Sequence, residues 1–156
     1  MSTITGKAPM ALVRSWLTGL PTGVVILSDR ENPQWTGVNG DVYTTGTAKW
    51  AVVDGKQRLL TAQSWFTDNL AVPASWFAPN LIAETEQTED GPYVRHSGLT
   101  RPGRLKFKHR AMLQVSEFKT AATLADEAVM FLLVNGGGTP QTDQDMQRAL
   151  DIAHCL

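Results

Sequence analysis

Cysteine is the scarcest reactive side chain in the sequence, because Cys155 alone is present among 156 residues. A single thiol can form neither an internal disulfide framework nor a zinc site built from several thiolates, so both classes are excluded. No apolar stretch approaches the roughly 18 residues that span a bilayer. The N-terminal segment also has no charged-then-apolar order typical of a signal peptide. We therefore expect a cytoplasmic protein that does not enter a membrane.

Several catalytic signatures are missing as well. The sequence has no Gly-x-Ser-x-Gly nucleophile elbow and no His-Glu-x-x-His zinc helix, and no Lys-Ser or Lys-Thr pair follows its glycine-rich run. The histidines, His96, His109 and His154, are too far apart in sequence for a spacing argument about a metal. Serine-hydrolase, zinc-protease and Walker A chemistry therefore have no support.

The chain also has almost no net charge. Fourteen Lys and Arg against fifteen Asp and Glu give −1, so the global balance does not point to nucleic acid. The charge is unevenly spread, however, because an acidic tract at residues 84–90 is followed by a cationic one at residues 101–110. Any electrostatic argument about a partner must therefore be local.

The remaining content fits one folded domain. With 42% hydrophobic residues and five tryptophans, the chain can bury a substantial core but is short for two domains. We expect a flexible N-terminal arm at residues 1–8 and a single domain at residues 9–156. Helical and strand patterns interleave along the chain, so the predicted fold class is α+β, with a short mixed sheet and about four helices.

Hydrophobic spacing and turn residues predict the individual elements. The expected strands are residues 23–28 and 50–53, and Asn39-Gly40 predicts a hairpin turn between them. The expected helices are one that opens at Pro9 and is closed by Gly19, one at residues 57–69, one at residues 124–134 capped by Thr123, and one that starts at Thr142.

The stretch "VVDGKQRLL" places an acid, a glycine and two cations where a strand passes into a helix. The first amides of a helix lack intrahelical acceptors and carry partial positive charge, so this turn could bind an anion. Gly55 would let the backbone approach the ligand, while Arg58 and Lys56 would add positive charge. Asp54 would then bind Mg²⁺, orient Arg58 or accept a proton.

A simpler interpretation of the same turn stays open. Helix-capping residues are far commoner than phosphate sites. In this interpretation Asp54 caps the helix, Arg58 pairs with it across the turn, and no ligand binds.

A second glycine-rich stretch, "NGGGTPQTDQD", lies between the third and fourth predicted helices. Three glycines free the backbone for left-handed conformations and close ligand contact, and the next helix start would supply further amides. The alternative is a tight turn with a glycine C-cap, although one glycine would suffice for that.

The stretch "RPGRLKFKHR" alternates cations with Leu105 and Phe107, as a half-exposed strand would. Such a strand could follow a nucleic-acid backbone, with the aromatic ring stacking on a base. A solvated face that discourages edge pairing is the alternative. The candidate nucleic-acid residues are Arg101, Arg104, Lys106, Lys108 and Arg110.

Three quoted segments resemble one family. "VVDGKQRLLT" is similar to the Asp-Gly-Gln-Gln-Arg-Leu-Thr signature of the domain-of-unknown-function 262 family, which forms the N-terminal domain of GmrSD-type restriction proteins and belongs to the ParB/sulfiredoxin-like superfamily. "LVRSWLTGLPTGVVILS" resembles the helix, Gly-Ile-Pro and strand that precede that signature. "VMFLLVNGGGTPQTDQDMQRA" resembles its later Phe-x-x-x-Asn-x-Gly-Gly-Thr-Pro segment.

The resemblance implies a small ParB/sulfiredoxin-like domain that receives a nucleotide or nucleic-acid phosphate. In relatives this fold supports NTP hydrolysis, CTP binding, phosphoryl transfer and DNA contact. Asp54 and Arg58 would be the catalytic pair, with Asp54 also the tentative Mg²⁺ ligand. The implied phosphate-binding residues are Gly55, Lys56, Gln57 and Arg58, with Asn135, Gly136, Gly137 and Thr139 as a second wall.

Two departures from the family shape the expected activity. "MSTITGKAP" stands where members usually have Gln-Arg-x-Tyr-x-Trp, so a protein partner is a candidate supplier of that catalytic segment. The HNH nuclease domain of restriction-type relatives does not follow, so self-sufficient DNA cleavage is not expected. We expect a nucleotide-phosphate-binding domain with Mg²⁺-dependent NTPase or phosphotransferase capacity in a DNA modification, restriction or phage-defence setting. The alternative is a non-catalytic DNA-binding or regulatory module that uses residues 101–110.

Overall fold

The computed structural model describes residues 7–36, 49–135, 144, 147, 151 and 152. It has an α+β fold, and the elements within these residues are four α-helices and six strands. The helices are α1 (Lys7–Thr18), α2 (Lys56–Phe66), α3 (Arg101–Arg110) and α4 (Leu124–Asn135). The strands are β1 (Val24–Asp29), β2 (Trp50–Asp54), β3 (Val72–Pro73), β4 (Glu86–Thr88), β5 (Gly91–Val94) and β6 (Gln114–Phe118).

Most of the predicted elements are confirmed, with shifted ends. The three predicted helices at residues 9–18, 57–69 and 124–134 correspond to α1, α2 and α4, and the two predicted strands to β1 and β2. Because α1 begins at Lys7, residues 7 and 8 of the expected arm are helical. The Asn39-Gly40 hairpin and the start of the fourth helix at Thr142 lie outside the described residues.

The chain divides into two compact units. The first comprises Met1–Gly23 and Gln57–Gln114, and the second comprises Val24–Lys56 and Val115–Leu156. Strands β3, β5 and β4 form the sheet of the first unit, with β5 in the middle, and β2, β1 and β6 form that of the second, with β1 in the middle. The expectation of a single domain stays a prediction.

The first unit is built around aromatic side chains from three helices. Phe107 of α3 lies with its ring centroid 5.2 Å from that of Trp65 on α2 and 5.8 Å from that of Trp16 on α1. All three side chains are buried, and the indole N–H of Trp16 donates to the Met112 carbonyl at 2.9 Å. Aromatic side chains bury large apolar areas, so this cluster is the main source of cohesion between these helices.

Polar contacts fix the end of α2 in the same unit. Asp68 has a φ of 59° and therefore turns the chain in a left-handed conformation. Its carboxylate accepts from the Ser97 amide at 2.8 Å, and its carbonyl accepts from Arg95. Arg95 also holds the Glu86 carboxylate through two bonds of 2.9 and 3.1 Å. The chain leaves the helix at Phe66 because these contacts hold the turn that follows.

A partly buried ion pair organises the second unit. Arg30 donates two hydrogen bonds to the Glu127 carboxylate at 3.0 and 2.7 Å, and its guanidinium lies 5.1 Å from the ring centroid of Trp35. Thr123 and Asp126 cap the start of α4 reciprocally, because each side chain accepts from the other residue's amide. The predicted Thr123 cap is thereby confirmed.

The prediction that residues 101–110 form a strand is wrong, because they form helix α3. The Thr100 hydroxyl accepts from the Gly103 amide at 3.3 Å and so caps the helix, and Pro102 is tolerated in its first turn. The buried pair is Gly103 and Phe107, four residues apart as a helix requires, whereas Leu105 is 49% exposed. The apparent alternation of Leu105 and Phe107 carried no information about burial.

We expect Phe107→Ala to lower the free energy of unfolding by about 3–5 kcal/mol, because it removes a buried ring and leaves a cavity. Leu105→Ala on the same helix removes an exposed side chain and should change that free energy by about 0.5 kcal/mol or less. Urea unfolding followed by tryptophan fluorescence measures both. Similar losses for the two variants would contradict the assignment of the buried face.

The aromatic core also contains a titratable group. His96 lies with its ring centroid 5.0 Å from that of Phe66 and 5.8 Å from that of Trp65. Burial among these groups lowers the pKa of the His96 imidazole, while Asp68 opposes the shift and Arg104 adds to it. The unfolded chain therefore binds the proton more readily than the folded one.

The stability of the protein should consequently fall at mildly acidic pH. The contribution of His96 is complete above its ordinary pKa of about 6.5 and is lost as the pH falls from there through the lowered folded pKa. Thermal unfolding between about pH 7.5 and 5.5 should show a smaller decline for His96→Gln than for the unchanged protein. The same decline in both would show that His96 does not carry this pH dependence.

Candidate functional site

The turn between β2 and α2 has a packing reason for its glycine. Strand β2 ends at Asp54, Gly55 has a φ of 92°, and α2 begins at Lys56. A Cβ on Gly55 would lie 2.9 Å from Val25 Cγ2 and 3.1 Å from Val25 Cα. Both the left-handed conformation and this close approach to β1 require glycine. Gly55 therefore needs no ligand to account for it.

The first turn of α2 is open to solvent and carries positive charge. Lys56 and Gln57 are exposed, and no acidic residue lies in this turn. The first amides of an α-helix have no intrahelical acceptors, and the helix dipole places partial positive charge there. The predicted residues Lys56 and Gln57 are thus positioned where an anion would be favoured.

Arg58 is partly buried against the turn that precedes β1. Its Nη1 donates to the Thr22 carbonyl at 3.4 Å. Gly23 has a φ of 79°, and a Cβ there would lie only 2.6 Å from Arg58 Nη1. The guanidinium therefore lies where a Cβ at residue 23 would be, and the Thr22 carbonyl is one of the groups that hold it.

Sequence reasoning did not identify Thr22 and Gly23 as part of this arrangement. Their signal in the sequence was the run Leu20-Pro21-Thr22-Gly23, a proline and a glycine immediately before a β-branched strand. Such a pair predicts a turn but does not say which distant side chain the turn receives.

Asp54 is partly buried at the end of β2, where its backbone is paired with Ile26 of β1. Neither Asp54 nor Arg58 is without a partner, so the interpretation of this turn as a capped corner also stays open. Within the described residues, no group of three or more His, Cys, Asp or Glu side chains is arranged to hold a metal ion. One carboxylate such as that of Asp54 is nevertheless enough to bind Mg²⁺ when phosphate oxygens and water molecules supply the other ligands.

The predicted second wall is described only at its first residue. Asn135 ends α4, and its side-chain amide donates to the Phe131 carbonyl at 2.8 Å. This bond holds the Asn135 side chain against the last turn of α4. Gly136, Gly137 and Thr139 lie outside the described residues, so their predicted role stays a prediction.

The five cations proposed for nucleic acid all lie on α3 and are all exposed. Arg104 Nη1 donates to the Leu99 carbonyl at 2.6 Å, and Arg110 Nη1 donates to the Leu17 carbonyl at 2.7 Å. For Arg101, Lys106 and Lys108, the described residues provide no hydrogen-bond or ion-pair partner. The structure thus keeps these residues together, but on a helix.

Two glycine substitutions form a matched test of the Arg58 position. Gly19 and Gly23 have φ values of 73° and 79°, but a Cβ on Gly19 would meet nothing within 4 Å. Alanine should cost about 1–2 kcal/mol of backbone strain at either position. Gly23→Ala should cost only slightly more, because its methyl group must also displace the guanidinium, which is the end of a flexible side chain.

The extra cost should disappear in an Arg58→Ala background, where no guanidinium lies against residue 23. A double-mutant cycle measured by urea unfolding isolates this coupling. A cost at residue 23 that is the same with and without the Arg58 side chain would contradict the contact.

No protein-family model, no curated protein and no solved structure matches the sequence or the fold. Among the described residues, no helix has both the length and the apolar character to cross a membrane.

Proposed function

We propose that the start of α2 binds the phosphates of a nucleotide, and that the chain is a ParB/sulfiredoxin-like domain of the domain-of-unknown-function 262 type. The observation that carries this proposal is the placement of Arg58. Its guanidinium donates to the Thr22 carbonyl and fills the space at Gly23. It follows the exposed residues Lys56 and Gln57 in the first turn of α2. A positioned arginine beside open helix amides is well suited to a phosphate group.

The groups at the start of α2 would each contact the phosphates in a different way. Backbone amides of the first turn would donate to phosphate oxygens, and the helix dipole would favour the negative charge. Arg58 would add a planar pair of donors, whereas Lys56 would add a mobile point charge on a flexible stem. This combination would hold a nucleotide through its phosphates and leave the base to other residues.

Hydrolysis or phosphoryl transfer would require charge stabilisation beyond binding. When bound, Mg²⁺ would neutralise phosphate charge as it develops, with Asp54 as its protein ligand. If no metal contacts it, Asp54 would accept a proton from the attacking hydroxyl or water. Arg58 would stabilise the negative charge that grows on the phosphate oxygens in the transition state.

The biological setting proposed for this activity comes from the resemblance alone. A nucleotide-dependent domain of this family would act in the cytoplasm in DNA modification, restriction or phage defence. A protein partner would complete the cleft by supplying the family's Gln-Arg-x-Tyr-x-Trp segment.

A thermal-shift measurement with each of the four NTPs, with and without Mg²⁺, tests the proposal. A nucleotide at about 100 times its dissociation constant should stabilise the folded protein by roughly 2.7 kcal/mol. Arg58→Ala should abolish this shift relative to the melting temperature of the ligand-free variant. Arg58→Lys should retain part of it, because charge remains while the paired donors are lost.

Arg14→Ala provides the matched control. Arg14 is exposed on α1 in the same unit, so its removal changes the net charge equally without affecting the α2 start. The control should keep the nucleotide-induced shift. Absence of any shift in the unchanged protein, or an undiminished shift in Arg58→Ala, would overturn the proposal.

A further inference from the structure

Helix α3 concentrates positive charge to an extent that the whole chain does not. Its ten residues include five arginines and lysines, one histidine and no acid, in a protein whose formal net charge is −1. Eight of the ten residues are exposed, because only Gly103 and Phe107 are buried. The helix thus exposes most of its surface to solvent, and it contacts the core through Gly103 and the ring of Phe107.

The helical repeat sorts these cations into two rows. At about 100° per residue, Leu105 and His109 lie opposite the buried Phe107 and form the outermost ridge. Arg101 and Lys108 lie on one flank of that ridge, and Lys106 lies on the other. Arg104 and Arg110 lie below these two flanks, nearer the buried face. The exposed surface of α3 is therefore a ridge between two cationic rows.

The helix is held rigidly enough to present this pattern. Its start is capped by Thr100, its middle is anchored by Phe107, and near its end Arg110 donates to the Leu17 carbonyl at 2.7 Å. Arg104 donates to the Leu99 carbonyl at 2.6 Å, and this hydrogen bond holds its side chain close to the body of the first unit. The cations are thus displayed on a fixed helix rather than on a loop.

We infer that α3 is a docking helix for duplex DNA, lying in the major groove with its ridge towards the base edges and its two cationic rows towards the phosphates on either side. An α-helix is roughly 10–12 Å across with its side chains, and the major groove of B-DNA is about 12 Å wide. Two opposed cationic rows match two phosphate rows better than they match a single acidic strip.

Other polyanions fit the same surface less well. The major groove of an A-form RNA duplex is too deep and narrow for side chains to read. A helix that lies in a membrane surface needs a broad apolar face, whereas Leu105 is the one large apolar side chain exposed within α3. Duplex RNA and anionic membranes are therefore the competing outcomes of the test.

Fluorescence anisotropy with a labelled DNA duplex of about 20 base pairs, titrated at several salt concentrations, measures this interaction. Each phosphate contact contributes about 0.9 to the slope of log affinity against log salt. Arg104 and Arg110 already donate to backbone carbonyls. With the three other cations of α3 available to phosphates, the slope should reach about −2.7. The binding should be of the non-specific class, with a dissociation constant of about 10⁻⁶ to 10⁻⁴ M at physiological salt.

A charge-matched pair of double variants locates the binding surface. Lys106→Gln with Lys108→Gln removes one cation from each flank and should reduce the magnitude of the salt slope by about 1.8. Lys49→Gln with Lys119→Gln removes the same charge from lysines that are 57% and 66% exposed elsewhere and should leave the slope unchanged. Equal losses in both pairs, or no loss on α3, would overturn the inference.

Three further measurements distinguish DNA binding by α3 from RNA binding, from membrane binding and from nucleotide binding at the α2 start. An RNA duplex of the same sequence should bind more weakly than the DNA, and phosphatidylserine vesicles should not compete with it. Equal or tighter RNA binding, or effective vesicle competition, would overturn the assignment to the major groove. Arg58→Ala should keep the α3-dependent slope, so failure of nucleotide binding leaves this test intact.

Discussion

The packing of Phe107 between Trp65 and Trp16 is the interaction on which the first unit depends. The ring centroid of Phe107 on α3 lies 5.2 Å from that of Trp65 on α2 and 5.8 Å from that of Trp16 on α1. The same contacts position α2, which begins at the proposed phosphate site, and α3, which carries the cationic rows. Burial of three aromatic side chains supplies the stability that lets α3 expose eight of its ten residues. The aromatic core therefore positions both helices that carry the proposed sites.

The two glycines near the proposed phosphate site serve different purposes. Gly55 is required by its positive φ and by its contact with Val25, which are properties of the fold. Gly23 is favoured by its positive φ, and its missing Cβ leaves room for the guanidinium of Arg58. A glycine beside a helix start is thus weak support for a ligand, whereas a glycine that accommodates a cation is stronger support. The proposal depends on Arg58 for this reason.

Helices and strands were predicted correctly from the sequence where the local pattern of residue types matched the pattern of burial. β-branched runs predicted β1 and β2, and the Thr123 cap predicted the start of α4 because a capping box is a local arrangement. The α3 segment failed because Leu105 and Phe107 alternate in polarity with their neighbours, and only tertiary packing decides which of them is buried. The contact of Arg58 with Thr22 spans 36 residues, so no local pattern could have revealed it. Candidate residues were thus predictable by type, but their partners were not.

An NMR titration of the ¹⁵N-labelled protein with Mg²⁺ and a nucleotide would test the central claim most directly. The account predicts that amide shifts appear first at Lys56, Gln57 and Arg58 and at the adjoining Thr22 and Gly23. A ³¹P spectrum should show shifted resonances of the nucleotide phosphates, and the ¹H resonances of the base should shift less. Saturable shifts confined to other elements, or no shifts at millimolar nucleotide, would contradict the assignment of the α2 start as a phosphate site.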